Sequence, residues 1–513
     1  MLNGPDELVS NEIERVNQTS NHSEPDWATT LTSRFPRATY ILPMSVILAG
    51  ALALALWSMS RPADGAKLRR PGADNPPGAD ASAAFNPLSA GSLVKGLGSP
   101  AASGGLWPQF RGPNRDDSSP QNTPLARAWE SQGPRQVWAV DCGEGYAGAA
   151  VRAGCVYLMD YDAEKKQNAL RCLSAADGKE CWRYAYPLVL KRNHGMTRTV
   201  PAVTETRVVA MDPKCNVICL DAQTGAFCWA INLPREFGAT IPPWYTGQCP
   251  LIDSNAVILA SGGPNALLLA VDLDTGRPLW RTPNPRGWKM THSSVMPMDF
   301  AGQRSYIYCG SGGVTGVSAK DGAPLWEITD WKISIANIPS PLVLDGGRIF
   351  LCGGYNAGAM MLQLKDVNGQ FTPQVLFKLA PEVFGATQHT PIFHDGHIYG
   401  VRPSGQFVCL DLSGHVLWAS PMGKDFGLGS FLLADGLFFV LNDSGTLTLV
   451  EAAADAYHPL AEAKVLTGRE SWGPMALVDG RLLVRDLTRL VCLDVSASQV
   501  ASVSPSLPPR NDK

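Results

Sequence analysis

Eight residues able to do chemistry fall in six short runs, each ending on proline: KRNHGMTRTVP, IPPWYTGQCP, KMTHSSVMP, ISIANIPSP, FGATQHTP and RESWGP. They are His194, Arg198, Trp244, Tyr245, His292, Asn337, His389 and Trp472. Three imidazoles from separate segments are a zinc donor set in outline. They stand seven, five and two residues before the proline of their run, hence at different depths, and read instead as polar residues at the mouth of a channel. Glu470 is the only carboxylate in the six runs, so hard oxygen ligands for calcium are scarce. Aromatic and arginine side chains are favoured at interaction hot spots, so the set reads as a binding surface, with no metal and no catalytic residue assigned. No Ser/His/Asp arrangement, phosphate loop or metal-spaced cluster stands out.

Twelve cysteines are scattered along the chain with no CxxC pair. Cys172 and Cys181 share a nine-residue spacing with Cys219 and Cys228, each pair spanning a hairpin. Cross-strand bridges in an oxidising compartment and small buried apolar side chains are the two readings, the second preferred.

The elements that must position these residues come from a repeat. LRCLSAADGKECWRY, VICLDAQTGAFCWAI, LLAVDLDTGRPLWRT, VTGVSAKDGAPLWEI and FVCLDLSGHVLWAS are each a strand, a turn closed by glycine, and a strand bearing tryptophan four residues after that glycine. From Trp138 through Trp182, Trp229, Trp280 and Trp326 the steps are 44, 47, 51 and 46 residues, and Trp418 follows after 92, or two periods. Two further strand runs lie between successive hairpins, giving four short strands per period, the arithmetic of a propeller blade. Glycine supplies the positive φ of a tight turn. The indole's expected task is packing against the neighbouring blade, where burial of about 200 Å² is worth roughly 5 kcal/mol gross. Two periods are degenerate: MMLQLKDVNGQFTPQVLFKL keeps a turn without tryptophan, and LTLVEAAADAYHPLAEAKV loses both signals. The last period lacks its outer strand, and RQVWAV, Arg135 to Val140, is a strand without a blade. If that strand completes the final blade, the ring closes at eight and no edge is left open.

Composition agrees with an all-β chain of many turns: 513 residues, Gly 50, Pro 40 and 17% charged. A net charge of -3 without a basic block in the second half argues against a nucleic-acid surface.

Tyr40 to Met59 is twenty residues without a charge, long enough to cross a bilayer as a helix. The polar lead 1–39 is long for a signal peptide and no A-x-A cleavage site follows, so the segment reads as an anchor. Arg34 and Arg37 precede it, whereas Arg61, Lys67, Arg69 and Arg70 follow. That bias favours a cytoplasmic C-terminal part, although long domains translocate largely regardless of such charges. Residues 60–105 are rich in Pro, Ala, Gly and Ser and read as a flexible tether. The propeller is expected over 106–495 and a disordered tail over 496–513.

WPQFRGPNRDD at 107–117, VWAVDCGEGYAGAAVRAGCVYL at 137–158 and repeats of the form LxALDAxTGxxxW resemble the PQQ-like quinoprotein repeat propellers, in a membrane-anchored planctomycete-type bacterial form. The resemblance covers about residues 106–495. It implies an eight-bladed propeller and an envelope location: inner membrane, single pass, propeller on the periplasmic side. The dehydrogenases of that family use a vicinal Cys-Cys disulfide, calcium and an Asp base, whereas other members, such as the outer-membrane assembly lipoprotein propeller, are not enzymes. This chain has no adjacent cysteines. The expectation is a monomeric scaffold or binding module with a protein partner in the envelope and no cofactor. PQQ with calcium is disfavoured, and a saccharide-sensing channel is the remaining alternative.

Overall fold

The computed structural model describes residues 48–52, 54, 56, 88–130 and 132–497. Contacts divide the chain into Met1–Arg69 and Arg70–Lys513. In the first unit residues 48–52, 54 and 56 are helical. The rest of the apolar span 40–59, the lead 1–39 and the tail from 498 lie outside the described residues. Among the described residues no helix is long and apolar enough to cross a membrane.

The second unit is built from eight antiparallel blades. The inner-to-outer strands of blade 1 are Ala150–Arg152, Cys155–Asp162, Gln167–Ser174 and Glu180–Pro187. Blade 2 spans Ala202 to Asn232, blade 3 Leu251 to Arg281, blade 4 Met296 to Ile328 and blade 5 Leu342 to Leu379. Blade 6 spans Ile392 to Ala419, blade 7 Phe431 to Lys464, and blade 8 holds Ala476–Val478, Arg481–Arg485 and Arg489–Asp494. The outer strand of blade 8 is Arg135–Asp141, paired antiparallel with Arg489–Asp494. The strand found without a blade in the sequence thus closes the ring.

The Gly-to-Trp interval has one cause. Four of the six indoles lie over the turn glycine of the following blade: a β-carbon on Gly178 would meet Trp138, on Gly225 Trp182, on Gly276 Trp229 and on Gly322 Trp280, all within 3 Å, whereas Gly369, after Trp326, has no such neighbour. Beside that glycine a carbonyl accepts from the indole Nε1: Ala175 from Trp138, Ala222 from Trp182, Leu273 from Trp229 and Ala319 from Trp280, at 2.8–3.3 Å. In degenerate blade 5, Phe377 takes the indole's place against Gly414. In blade 7, which lost its glycine, Ala453 still accepts from Trp418. The middle strands are buried on both faces, as in blade 3, where Val257–Leu259 and Leu267–Val271 are nearly or wholly without solvent. The core therefore lies between blades.

Two boundaries differ from the sequence reading. Ser92–Lys95, inside the segment read as tether, is a fifth strand on the outer edge of blade 1, paired with Trp182–Ala185. A four-residue strand among small residues shows no period to detect, and the blade's open edge is what orders it. Ser496 and Ala497, read as tail, pair with Leu125 and Pro124. All twelve cysteines are free, which favours the apolar reading of the two pairs over bridges.

Candidate binding cavity

The runs that carry the candidate residues connect the outer strand of one blade to the inner strand of the next, so they converge where the inner strands begin. His194, Arg198, Trp244, His292, His389 and Trp472 line one cavity of about 360 Å³. Tyr245 and Asn337 are not on its lining. The Tyr245 hydroxyl turns to the neighbouring connector, accepting from Lys191 N at 3.0 Å and donating to its carbonyl at 2.8 Å. Asn337 is 4% exposed; its carbonyl accepts from His292 N and Ser293 N, and its side-chain amide is buried without a hydrogen bond. Both position the lining instead of forming it, since the neighbours Ala336 and Ile338 do face the cavity.

The sequence reading missed Tyr146, in the connector from the closing strand to blade 1. Its ring stacks on Trp472 with centroids 5.1 Å apart, and the Arg198 guanidinium lies 5.4 Å from the Tyr146 ring centroid. Its hydroxyl donates to Glu470. Burial, then that hydrogen bond, raise the phenol well above its usual range. Arg198 donates to the carbonyls of Gly195 and Asn193, and among the described residues it has no ion pair. Burial lowers it to about 10, which leaves it cationic at neutral pH.

His292 is buried and pushed down to about 4, first by burial and then by the Arg198 charge, so it is neutral at pH 7. Burial also lowers His389. The three imidazoles share the cavity but form no metal cluster: among the described residues the one group of three ligand side chains within 4.8 Å of each other is Cys155, Cys172 and Cys181. The mouth is conformationally strained. His194, Trp244, Tyr245, Tyr355 and Glu470 hold φ between 55 and 70°, a region that bulky side chains enter only where the surroundings over-determine them, commonly at binding sites.

The floor is the segment WPQFRGPNRDD, whose role the sequence did not disclose. Trp107 exchanges two backbone hydrogen bonds with Val151 of blade 1, and the Pro108 carbonyl accepts from Val203 of blade 2. Arg115 donates to Pro250 O at the entry to blade 3. Arg111, 2% exposed, donates to the carbonyls of Thr390 and Pro391 at blade 6, at 2.7 and 2.9 Å, and pairs with Asp117 at 3.0 Å. Ser118–Ser119 then runs parallel to the inner strand of blade 7. One short segment thus ties five blades together and, through Phe110, Arg111 and Asp117, lines the cavity. Its turns need left-handed backbone at Arg111, Gly112, Arg115 and Asp117.

These residues do not fit a calcium-bound quinone. Asp117 is engaged by Arg111, and Glu470 accepts from Tyr146. The chain has no vicinal cysteines, so neither the hard oxygen ligands nor the disulfide of the dehydrogenases is supplied.

The family profile described as outer membrane protein assembly factor BamB matches residues 165–420. With eight blades of the Gly-Trp type, this chain is a PQQ-like repeat β-propeller. More particularly, it is related to BamB. It is 23% identical over 261 residues to the BamB of Yersinia pestis, covering 49% of this chain and 63% of that protein. It is 26% identical over 284 residues to that of Burkholderia pseudomallei, covering 52% and 67%. The crystal structure of BamB from Moraxella catarrhalis superposes with a TM-score of 0.50 at 15% identity, over 70% of this chain and 99% of that one. That likeness is one of fold.

Proposed function

We propose that this chain is a cell-envelope scaffold: a propeller anchored in the inner membrane through residues 40–59, held on the periplasmic side, whose cavity mouth grips a segment of a partner protein and performs no reaction. The observation that carries this reading is the mouth itself, where Trp244, the stacked Tyr146–Trp472 pair and the cationic Arg198, which has no ion pair among the described residues, present the side chains that dominate protein interfaces. The relatives from Yersinia pestis and Burkholderia pseudomallei are named as assembly factors, which supports a binding role in an envelope complex. The test is a photo-crosslinking amino acid placed at position 244 in growing cells, with position 279, exposed on the outer strand of blade 3, as the control site. A discrete protein adduct from 244 alone, lost with Arg198→Ala, is expected. No adduct, or calcium-dependent PQQ binding with dye-linked turnover abolished by Glu470→Gln, would overturn the scaffold reading.

A further inference from the structure

The residue facing each outer-strand tryptophan is small, because the indole lies over it. Cys172 faces Trp182, Cys219 faces Trp229, Ala270 faces Trp280, Gly316 faces Trp326, Cys409 faces Trp418 and Cys492 faces Trp138. Packing alone therefore accounts for a cysteine at 172. It does not account for Cys155 or Cys181. The register of blade 1 slips between Cys172 and Leu173, so Cys181 and Trp182 both stand against Cys172. Such a bulge brings two successive side chains towards one face, which carries Cys181 to Cys172. Cys155 lies two residues from Tyr157, the partner of Cys172 on the other side, and so shares its face. The three Sγ atoms consequently lie within 4.8 Å of one another. Cys155 and Cys172 are buried, and the half-buried Cys181 leaves a way in.

Blade 2 is an internal control. Cys219 faces Trp229 and Cys228 occupies the same bulge, but two residues before Val209, the partner of Cys219, stands Arg207. Its positive charge acts on both thiols. The same architecture thus carries a cation where blade 1 carries a third sulfur.

We propose that Cys155, Cys172 and Cys181 form a three-sulfur site for a thiophilic d10 ion, Cu(I). No imidazole or carboxylate joins the group among the described residues. An all-sulfur set of three suits a soft ion that accepts low coordination, whereas structural zinc takes four ligands. Each Cu–S bond formed releases one thiol proton to solvent, and the metal keeps its oxidation state.

Anaerobic, fully reduced full-length chain is titrated with Cu(I) against a chromogenic Cu(I) chelator, and the loaded protein is read by X-ray absorption. One ion per chain in a shell of three sulfurs is expected, held at least about 100-fold more weakly after Cys181→Ser or Cys155→Val, and unchanged after Cys228→Ser. Cys155→Val keeps the buried position filled, and an unaltered melting temperature separates lost binding from lost fold. Binding that survives Cys155→Val and Cys181→Ser, a preference for four-coordinate zinc, or a Cys172–Cys181 disulfide in protein isolated from cells would each overturn the assignment.

Discussion

The indole of Trp182 in blade 1 lies so close to Gly225 of blade 2 that a β-carbon there would stand 2.7 Å from the ring. Gly225 also holds φ at +74°, so alanine meets both backbone strain and an occupied space. Gly225→Ala should cost about 2 to 4 kcal/mol and Trp182→Ala about 3 to 5 kcal/mol. In the Trp182→Ala background the steric part is gone, and Gly225→Ala should cost only about 1 kcal/mol. Denaturant unfolding of the four proteins measures the cycle; strictly additive costs would deny the contact its role.

Ring closure has an electrostatic clamp. The Asp494 carboxylate accepts from Arg135 on the closing strand at 3.0 Å, from Arg481 and from Ser496. Although burial opposes it, these partners depress the group from 3.8 to about 2. A depressed carboxylate stabilises the fold above its unfolded value, and that contribution is lost as pH falls from 3.8 towards about 2. Asp494→Asn should therefore melt lower at pH 7, by about 2 kcal/mol for hydrogen bonds to a charged group. The gap should close in acid. A gap independent of pH in melts from pH 7 to 2 would place the clamp elsewhere.

The floor of the cavity should be the less forgiving part of the site. Arg111→Met leaves the Thr390 and Pro391 carbonyls without their donor and Asp117 without its cation. Burial already pushes Asp117 up to about 6 against the pull of Arg111. A cost of about 3 to 5 kcal/mol is expected, with faster proteolysis between residues 105 and 120. An unchanged melting temperature would mean that the segment is not a structural tie.

At the rim the opposite holds. Trp244 is half-buried, so Trp244→Ala should change stability by no more than about 0.5 kcal/mol while weakening a crosslinked partner at least about 30-fold, the loss expected of a hot spot. Quantitative binding of the recovered partner to both proteins decides it.

The side of the membrane on which the propeller lies is read by adding protease to spheroplasts. Digestion in the segment before residue 88 without lysis is expected; full protection until lysis would place the domain in the cytoplasm, as the count of Lys and Arg around residues 40–59 favours.

Much of the ring was legible because its signals have single structural causes. Gly225 and its equivalents must lack a side chain where the previous tryptophan lies, and Arg135 to Val140 had no blade of its own. The cavity was half legible. The connectors carry no period, so their residues could be assigned to the mouth but the direction of each side chain could not, and Tyr245 and Asn337 are not on the lining. Tyr146 lay in a connector, Cys142 to Ala149, that has no proline and so was not grouped with the six runs that end on one. The floor was hidden for another reason: Arg111 and Arg115 act on backbone carbonyls 279 and 135 residues further on, and a carbonyl leaves no mark in sequence. The paired arginines and aspartates of WPQFRGPNRDD were the available hint.

That distance sets a timetable. At a synthesis rate of about 5 to 20 residues per second, Arg111 waits roughly 15 to 60 s for Thr390 to be made, and Arg135 waits longer for Asp494. Through that interval the nascent chain carries one buried-type cation, Arg111, and a bare strand edge at Arg135–Asp141 with nowhere to dock. The ring therefore closes last, when Arg489–Asp494 meets Arg135–Asp141, and the moment of greatest hazard to the chain falls just before its final blade is released, when a holding factor would matter most.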